Sequence, residues 1–253
     1  MDILTSKEKG IITITFNRPG KKNAITAAMY QAMADALKDA EGDPSVRVIV
    51  ITGSSEIFTA GNDLDDFLNN PAQGDDTPVS RFMRQLSGAS KPVIAAIFGS
   101  AIGIGSTLLL HCDLVYAADN ARFSLPFARL GLCPEFSSSL LLPQMVGHHR
   151  AAEKLMLGEF FSAEEACGMG LVNRVLPADE LTSFVRAQAE KLSALPATSL
   201  RTTKRLMKGN QAQVEEKMRE EGRLFGELLL SREAKEAFSA FLEKRKPDFT
   251  KFS

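Results

Sequence analysis

Cysteine is scarce in this 253-residue chain. Cys112, Cys133 and Cys167 are an odd number with no CxxC pair, which excludes a disulfide framework and predicts reduced thiols packed as small hydrophobes inside a cell. Histidine is as rare: His148 and His149 are adjacent rather than four apart, His111 stands alone, and no metal site is expected. An excess of one charge is missing too. With 30 basic against 31 acidic residues the formal net charge is −1, without the basic surplus typical of nucleic-acid binders. The opening MDILTSKEKGIITITF has no basic segment leading into an apolar one, so no secretory leader is expected. The final KFS is not the SKL address, and a cytoplasmic location is the expectation.

What is present begins with one long uncharged run, PVIAAIFGSAIGIGSTLLL, whose 19 residues (92–110) match a membrane span in length. Glycines at 99, 103 and 105 punctuate it and His-Cys-Asp follows at once. That predicts a buried strand, a glycine turn and a buried helix, and no membrane partner. Hydrophobic content of 44% and charged content of 24% are those of an ordinary folded domain.

GIITITF reads as a strand, NRPGKKN as a turn, and AITAAMYQAMADALKDAEGD as an amphipathic helix closing on glycine. VRVIVITG, VIAAIFG and DLVYAA are short apolar runs suited to strands buried on both faces. Strands alternating with helical patterns predict an α/β fold with a sheet covered by helices. From Ser162 the chain turns helical: Ser162 and Glu165 stand at capping-box spacing, and amphipathic stretches follow Pro177 and Pro196 and run from 211 to about 244. The strand-rich part covers roughly 1–175. The organisation expected is a core over 1–195 and a helical region over 196–253.

Three stretches hold candidate chemistry. In IFTAGNDL, Gly61 lets the chain turn so that the Asn62 amide points into open space at a helix start, as an oxyanion donor does. A plain loop with Asp63 as a cap explains the same letters. In FGSAIGIGSTLLL, Gly103-x-Gly105 resembles the start of a dinucleotide fingerprint, but Leu108 occupies the third glycine's place and that reading fails. A second glycine-flanked amide, that of Ile104, remains. In GLCPEFSSS, Pro134 suits an early helix position. Glu135 there is either a residue satisfying a helix N-terminus or, in apolar surroundings, a proton carrier with a raised pKa.

Together ITFNRPGKKNAIT, VIVITGSSEIFTAGNDL, KPVIAAIFGSAIGIGSTLLLHCDLVYAADNARFSLPFARLGLCPE and FSAEEACGMGLVNRVLP resemble the enoyl-CoA hydratase/isomerase (crotonase) superfamily. They occur in the family's order and span nearly the whole core. The resemblance implies a spiral of ββα units with a helical C-terminal region, assembled as a homotrimer or hexamer. It implies an acyl-CoA thioester substrate, coenzyme A being part of that substrate, and no separate cofactor.

By the same resemblance the thioester oxygen is held by the amides of Asn62 and Ile104. Lys22, Asn23 and Ala24, with Ala60, Gly61, Asp63 and Leu64, border the bent CoA. Gly103 and Phe127 are further acyl-CoA contacts, and Lys244 or Lys251 either meets a CoA phosphate or belongs to a solvated basic tail. The two glutamates of the family's hydratases are replaced by Thr107 and Phe127. Instead LGLCPEFSSS resembles the peroxisomal-type Δ3,Δ2-enoyl-CoA isomerases, in which the glutamate matching Glu135 is the base. The resemblance thus implies an isomerase working by a glutamate proton shuttle, in fatty-acid β-oxidation. Hydration or other crotonase chemistry, and a scaffold that binds acyl-CoA without catalysis, are the competing readings. Residues 68–80 are expected to shape the acyl pocket.

Overall fold

The computed structural model describes residues 1–54, 56–69 and 76–252. Strands β1 (Ile3–Glu8) and β2 (Ile11–Phe16) form a hairpin, and helix α1 (Ala27–Gly42) returns the chain to β3 (Val48–Thr52). After α2 (Leu64–Asn69) and α3 (Pro78–Ser87) come β4 (Val93–Ile97), β5 (Ser100–Ile102) and the one-turn α4 (Ile104–Thr107). β6 (Leu114–Ala118) and β7 (Arg122–Ser124) precede α5 (Ser138–Val146) and α6 (His148–Ala152). Then follow β8 (Phe161–Ser162), α7 (Ala163–Gly168) and β9 (Arg174–Leu176). The chain closes with α8 (Ala178–Ala194), α9 (Ala197–Met207), α10 (Gln211–Leu229) and α11 (Arg232–Leu242).

The strands make a six-stranded sheet ordered β1-β2-β3-β4-β6-β9, parallel apart from the β1–β2 pair, and a second sheet ordered β5-β7-β8. Successive strands alternate between the two sheets at β4–β5 and β6–β7, which is the ββα spiral expected. The apolar runs explain the layering. In β3, Ile49 and Ile51 enter the core beneath α1 and α3, while Val48 and Val50 face Leu181, Val185 and Ala189 of α8. In β4, Val93, Ala95 and Ile97 face the first layer, and Ile94 and Ala96 the second. Alternation along a strand buried on both sides demands apolar residues at every position, and burying each large aliphatic is worth about 1.5–3 kcal/mol.

Three expectations need correction. Residues 100–102 form strand β5 rather than a turn, because the chain reverses at Gly99 (φ +55°), where a Cβ would stand 2.0 Å from the Glu56 carbonyl oxygen. The helix begins at Ser138, within GLCPEFSSS, so Pro134 and Glu135 lie in the turn ahead of it and Glu135 is not a helix-start residue. The charged run after 211 is two helices, split at Leu230 and Ser231. Among the described residues no helix is long and apolar enough to cross a membrane.

Candidate active site

Two loops are stitched together by backbone bonds. The Thr59 amide donates to the Ser100 carbonyl at 2.9 Å and the Ile102 amide to the Thr59 carbonyl at 3.1 Å. On the other side the Ile25 amide donates to Gly61 at 2.8 Å and the Asp63 amide to Ile25 at 2.9 Å. This parallel bridge engages Gly61 and Asp63 and skips Asn62, whose amide has no acceptor among the described residues. Gly61 makes the skip feasible: its φ is +88°, and a Cβ there would approach the Ile102 carbonyl oxygen to 2.9 Å. The Ile104 amide is left open for a different reason. It begins α4, where helical amides have no intrahelical acceptor, and it too has no acceptor among the described residues. Gly103 before it sits at φ +57° with its amide bound to Ser124.

Glu135 follows Pro134 in a turn whose next two residues, Phe136 (φ +59°) and Ser137 (φ +56°), are both left-handed. For non-glycine residues this costs about 1–2 kcal/mol each, so the surroundings must hold it. They do so from two sides. His111 donates Nε2–H to the Phe136 carbonyl at 2.8 Å and stacks on its ring at 3.9 Å; burial pushes that imidazole down to about 3, so it is neutral. From α10, Glu221 accepts from the Ser137 amide at 2.5 Å and from the Ser139 amide and hydroxyl at 3.0 and 2.5 Å.

The result is a carboxyl group only 6% exposed, with Oε1 lacking any hydrogen-bond partner among the described residues. Burial pushes its pKa up to about 8, with the negative charge of Glu221 as the second cause. Tyr30, itself buried, donates its hydroxyl to Asn62 Oδ1. Burial and then the Glu135 charge raise the tyrosine's pKa. An unsatisfied buried polar atom costs about 1–3 kcal/mol, and in a folded protein it asks for a functional explanation.

The other expected residues divide. Lys22 and Asn23 form a left-handed pair, and the Lys22 carbonyl accepts from the Ala60 amide at 3.0 Å. Asn23 is fully buried, and its side chain holds the Arg18 amide and the Ile57 and Phe58 carbonyls, so it scaffolds the loop. Ala24 gives its carbonyl to Arg18. Asp63 is committed to Arg18 at 2.5 Å and to the Asp66 amide at 3.1 Å, the capping role, and its pKa is lowered by these bonds despite its burial. Leu64 packs with the cluster that holds Phe127, Leu132 and Leu142.

Phe127 lies beside Gly103 and meets Phe225 of α10 edge to face at 6.4 Å. Thr107 is fully buried, its hydroxyl 3.5 Å from the Ile104 carbonyl in its own turn. The Cys133 thiol is pushed up to about 11 by burial, the opposite of an activated nucleophile. Lys251 pairs with Asp248 at 3.3 Å, and Lys244 is a left-handed residue on the exposed tail. Part of the loop expected to shape the acyl pocket, 70–75, lies outside the described residues.

Tyr30, Glu221 and Phe225 carry no local sequence pattern that marks them for a site, and His111 stands alone in the sequence without a histidine partner at metal-ligand spacing. Glu221 gave no signal, being one acid among many on a charged helix. Tyr30 sat in the periodic pattern of α1 as an ordinary core residue.

Against known proteins, the family model described as enoyl-CoA hydratase/isomerase matches residues 6–251. Enoyl-CoA delta isomerase 2 of Rattus norvegicus is 40% identical over 215 residues, 83% of this chain and 55% of that protein, so the chain spans about half of that relative's length. The 2,3-dehydroadipyl-CoA hydratase of Escherichia coli K12 is 34% identical over 251 residues, 98% of each chain. The crystal structure of an enoyl-CoA hydratase/isomerase from Pseudoalteromonas atlantica T6c matches with a TM-score of 0.95 at 41% identity, covering 98% of this chain and 100% of that one. Relatives named for isomerisation and for hydration thus lie at comparable distances.

Proposed function

The chain belongs to the enoyl-CoA hydratase/isomerase family, and within it we propose a Δ3,Δ2-enoyl-CoA isomerase that moves the double bond of a 3-enoyl thioester to the 2-trans position. One observation carries the reading: among the described residues Glu135 alone is a buried carboxyl group with an oxygen left without a partner, while by the family resemblance the buried Thr107 and Phe127 stand where a hydratase needs acids. Another buried carboxylate, Glu221, has both oxygens occupied by three donors and is not available to activate water.

The chemistry follows from these groups. The C2 proton of a 3-enoyl thioester is acidified by the carbonyl and by the adjacent double bond. Glu135 in its ionised form takes it, and charge moves to the thioester oxygen as a dienolate. The open amides of Asn62 and Ile104 receive that oxygen; each such donor is worth about 2.7–4 kcal/mol in the transition state. Protonated Glu135 then returns the proton at C4. A raised pKa suits both halves, because the carboxyl must accept and release a proton near neutral pH. Apolar walls around Phe127 keep water from the dienolate. A scaffold that only bound acyl-CoA would gain stability by losing the unpartnered carboxyl, which argues against that alternative.

Purified protein incubated with trans-3-hexenoyl-CoA and, separately, with crotonyl-CoA tests the assignment through 2-enoyl-CoA absorbance. The expected result is a rise with the first and little loss with the second. Loss of crotonyl-CoA absorbance without isomerisation means hydration instead.

A further inference from the structure

Helix α10 exposes most of its length, and its two buried residues are Val214 and Glu221. Both grip one turn. The Val214 carbonyl accepts from the Ser137 hydroxyl at 2.7 Å, and Glu221 takes the Ser137 amide, the Ser139 amide and the Ser139 hydroxyl. A helix that only needed docking would present an apolar residue at Glu221, since burying a carboxylate is unfavourable unless its geometry is used. Four residues on, Phe225 touches the wall residue Phe127. One face of α10 therefore delivers both the clamp behind Glu135 and part of the site's apolar wall.

We propose that Glu221 is a positioning residue: from α10 its carboxylate holds the left-handed Phe136–Ser137 turn and so aims the unpartnered Glu135 oxygen at the substrate. The proposal rests on the isomerase reading only for the role of Glu135. The clamp also brings charge. Around Glu135 stand Glu221 from α10, Tyr30 from α1, neutral His111 from the 3₁₀ turn at Leu108–His111, and the Cys133 thiol of its own segment. Around Glu221 stand the Ser137 and Ser139 donors, Cys133, and Lys217 one turn back, which is itself paired with Glu220. Among these groups Glu221 is the one whose negative charge opposes ionisation of Glu135.

The test uses Glu221→Gln, which keeps the shape and removes the charge, and Glu221→Ala, which removes the clamp. Circular dichroism establishes folding, and binding of a saturated acyl-CoA establishes an intact pocket. Kinetics on 3-hexenoyl-CoA are followed from pH 6 to 10. In parallel, carboxyl infrared difference spectra titrate Glu135 directly, with Glu135→Gln as the blank. Glu221→Ala is expected to lower kcat by about 10–100-fold, the effect of misplacing a reacting group by roughly an ångström, with KM within about threefold. Glu221→Gln is expected to move both the Glu135 titration and the alkaline rise in rate to lower pH by about one unit. A folded Glu221→Gln protein with the wild-type titration and wild-type kcat overturns the proposal, and it decides the matter if Glu221→Ala does not fold. If the wild type does not isomerise, the infrared titration still reports whether Glu221 governs Glu135, so the two readings fail separately.

Discussion

If Glu135 is the base of the proposed isomerase, replacing it with glutamine is expected to lower kcat on 3-hexenoyl-CoA by about 10²–10⁴-fold and to leave KM within a few-fold in steady-state assays. Glutamine has nearly the shape of the carboxyl and cannot carry the proton from C2 to C4, while the amides of Asn62 and Ile104 are untouched. Among the described residues the other buried acids are committed elsewhere, since Glu221 is saturated with donors and Asp63 is bound to Arg18. In the wild type, kcat/KM is expected to climb as pH rises toward 8, because burial raises the Glu135 pKa to about 8 and a base works only when ionised.

The same group predicts a stability effect with a definite sign. A carboxyl group whose pKa rises from 4.5 in the unfolded chain to about 8 in the folded one binds its proton more tightly when folded. Its contribution to stability is therefore complete below pH 4.5 and declines through the window from 4.5 to 8. At about 1.4 kcal/mol per pH unit this amounts to something on the order of 5 kcal/mol. Glu135→Gln lacks that slope. Denaturant melts at pH 5 and pH 9 should show the variant gaining on the wild type at the higher pH. Equal pH dependence in the two proteins contradicts a buried, strongly shifted Glu135.

Gly61→Ala removes activity by distorting one donor without touching the base. The backbone at Gly61 has φ +88°, and an added Cβ lies 2.9 Å from the Ile102 carbonyl oxygen, which belongs to the strand that leads into the second amide. The strain is about 1–3 kcal/mol, and the chain relieves it by rotating the peptide that presents the Asn62 amide. Loss of one oxyanion donor costs about 10²–10³-fold in kcat. Thermal unfolding should show the protein folded at the assay temperature, and a saturated acyl-CoA should still bind. A Gly61→Ala enzyme of wild-type kcat removes Asn62 from the oxyanion site.

The parts of the fold legible in sequence were those with strong periodicity. β3 and β4 announce themselves because strands buried on both faces leave no room for polar residues, and α1 because its apolar residues repeat at helical spacing. β5 was hidden, since Ser100–Ile102 is short, half-buried at its ends and follows a glycine that also fits a turn. The open amides of Asn62 and Ile104 were legible as glycine-flanked positions, because Gly61 and Gly103 mark the positive φ that frees them. What sequence left undecided was the state of Glu135. That depends on a left-handed turn of two ordinary residues held by His111 and by Glu221, the latter 84 positions from Ser137 along the chain. Such a turn has no glycine to announce it, and long-range burial of one acid leaves no local pattern.

The direct measurement is hydrogen transfer within the substrate. 3-Hexenoyl-CoA carrying deuterium at both C2 positions is converted in ordinary water, and the product is analysed at early conversion. With a single carboxyl group buried to 6% exposure as the carrier, deuterium taken from C2 should appear at C4 of the 2-enoyl product, and turnover should slow relative to the unlabelled substrate. A product whose new C4 hydrogen comes wholly from solvent contradicts a one-carboxyl shuttle at Glu135.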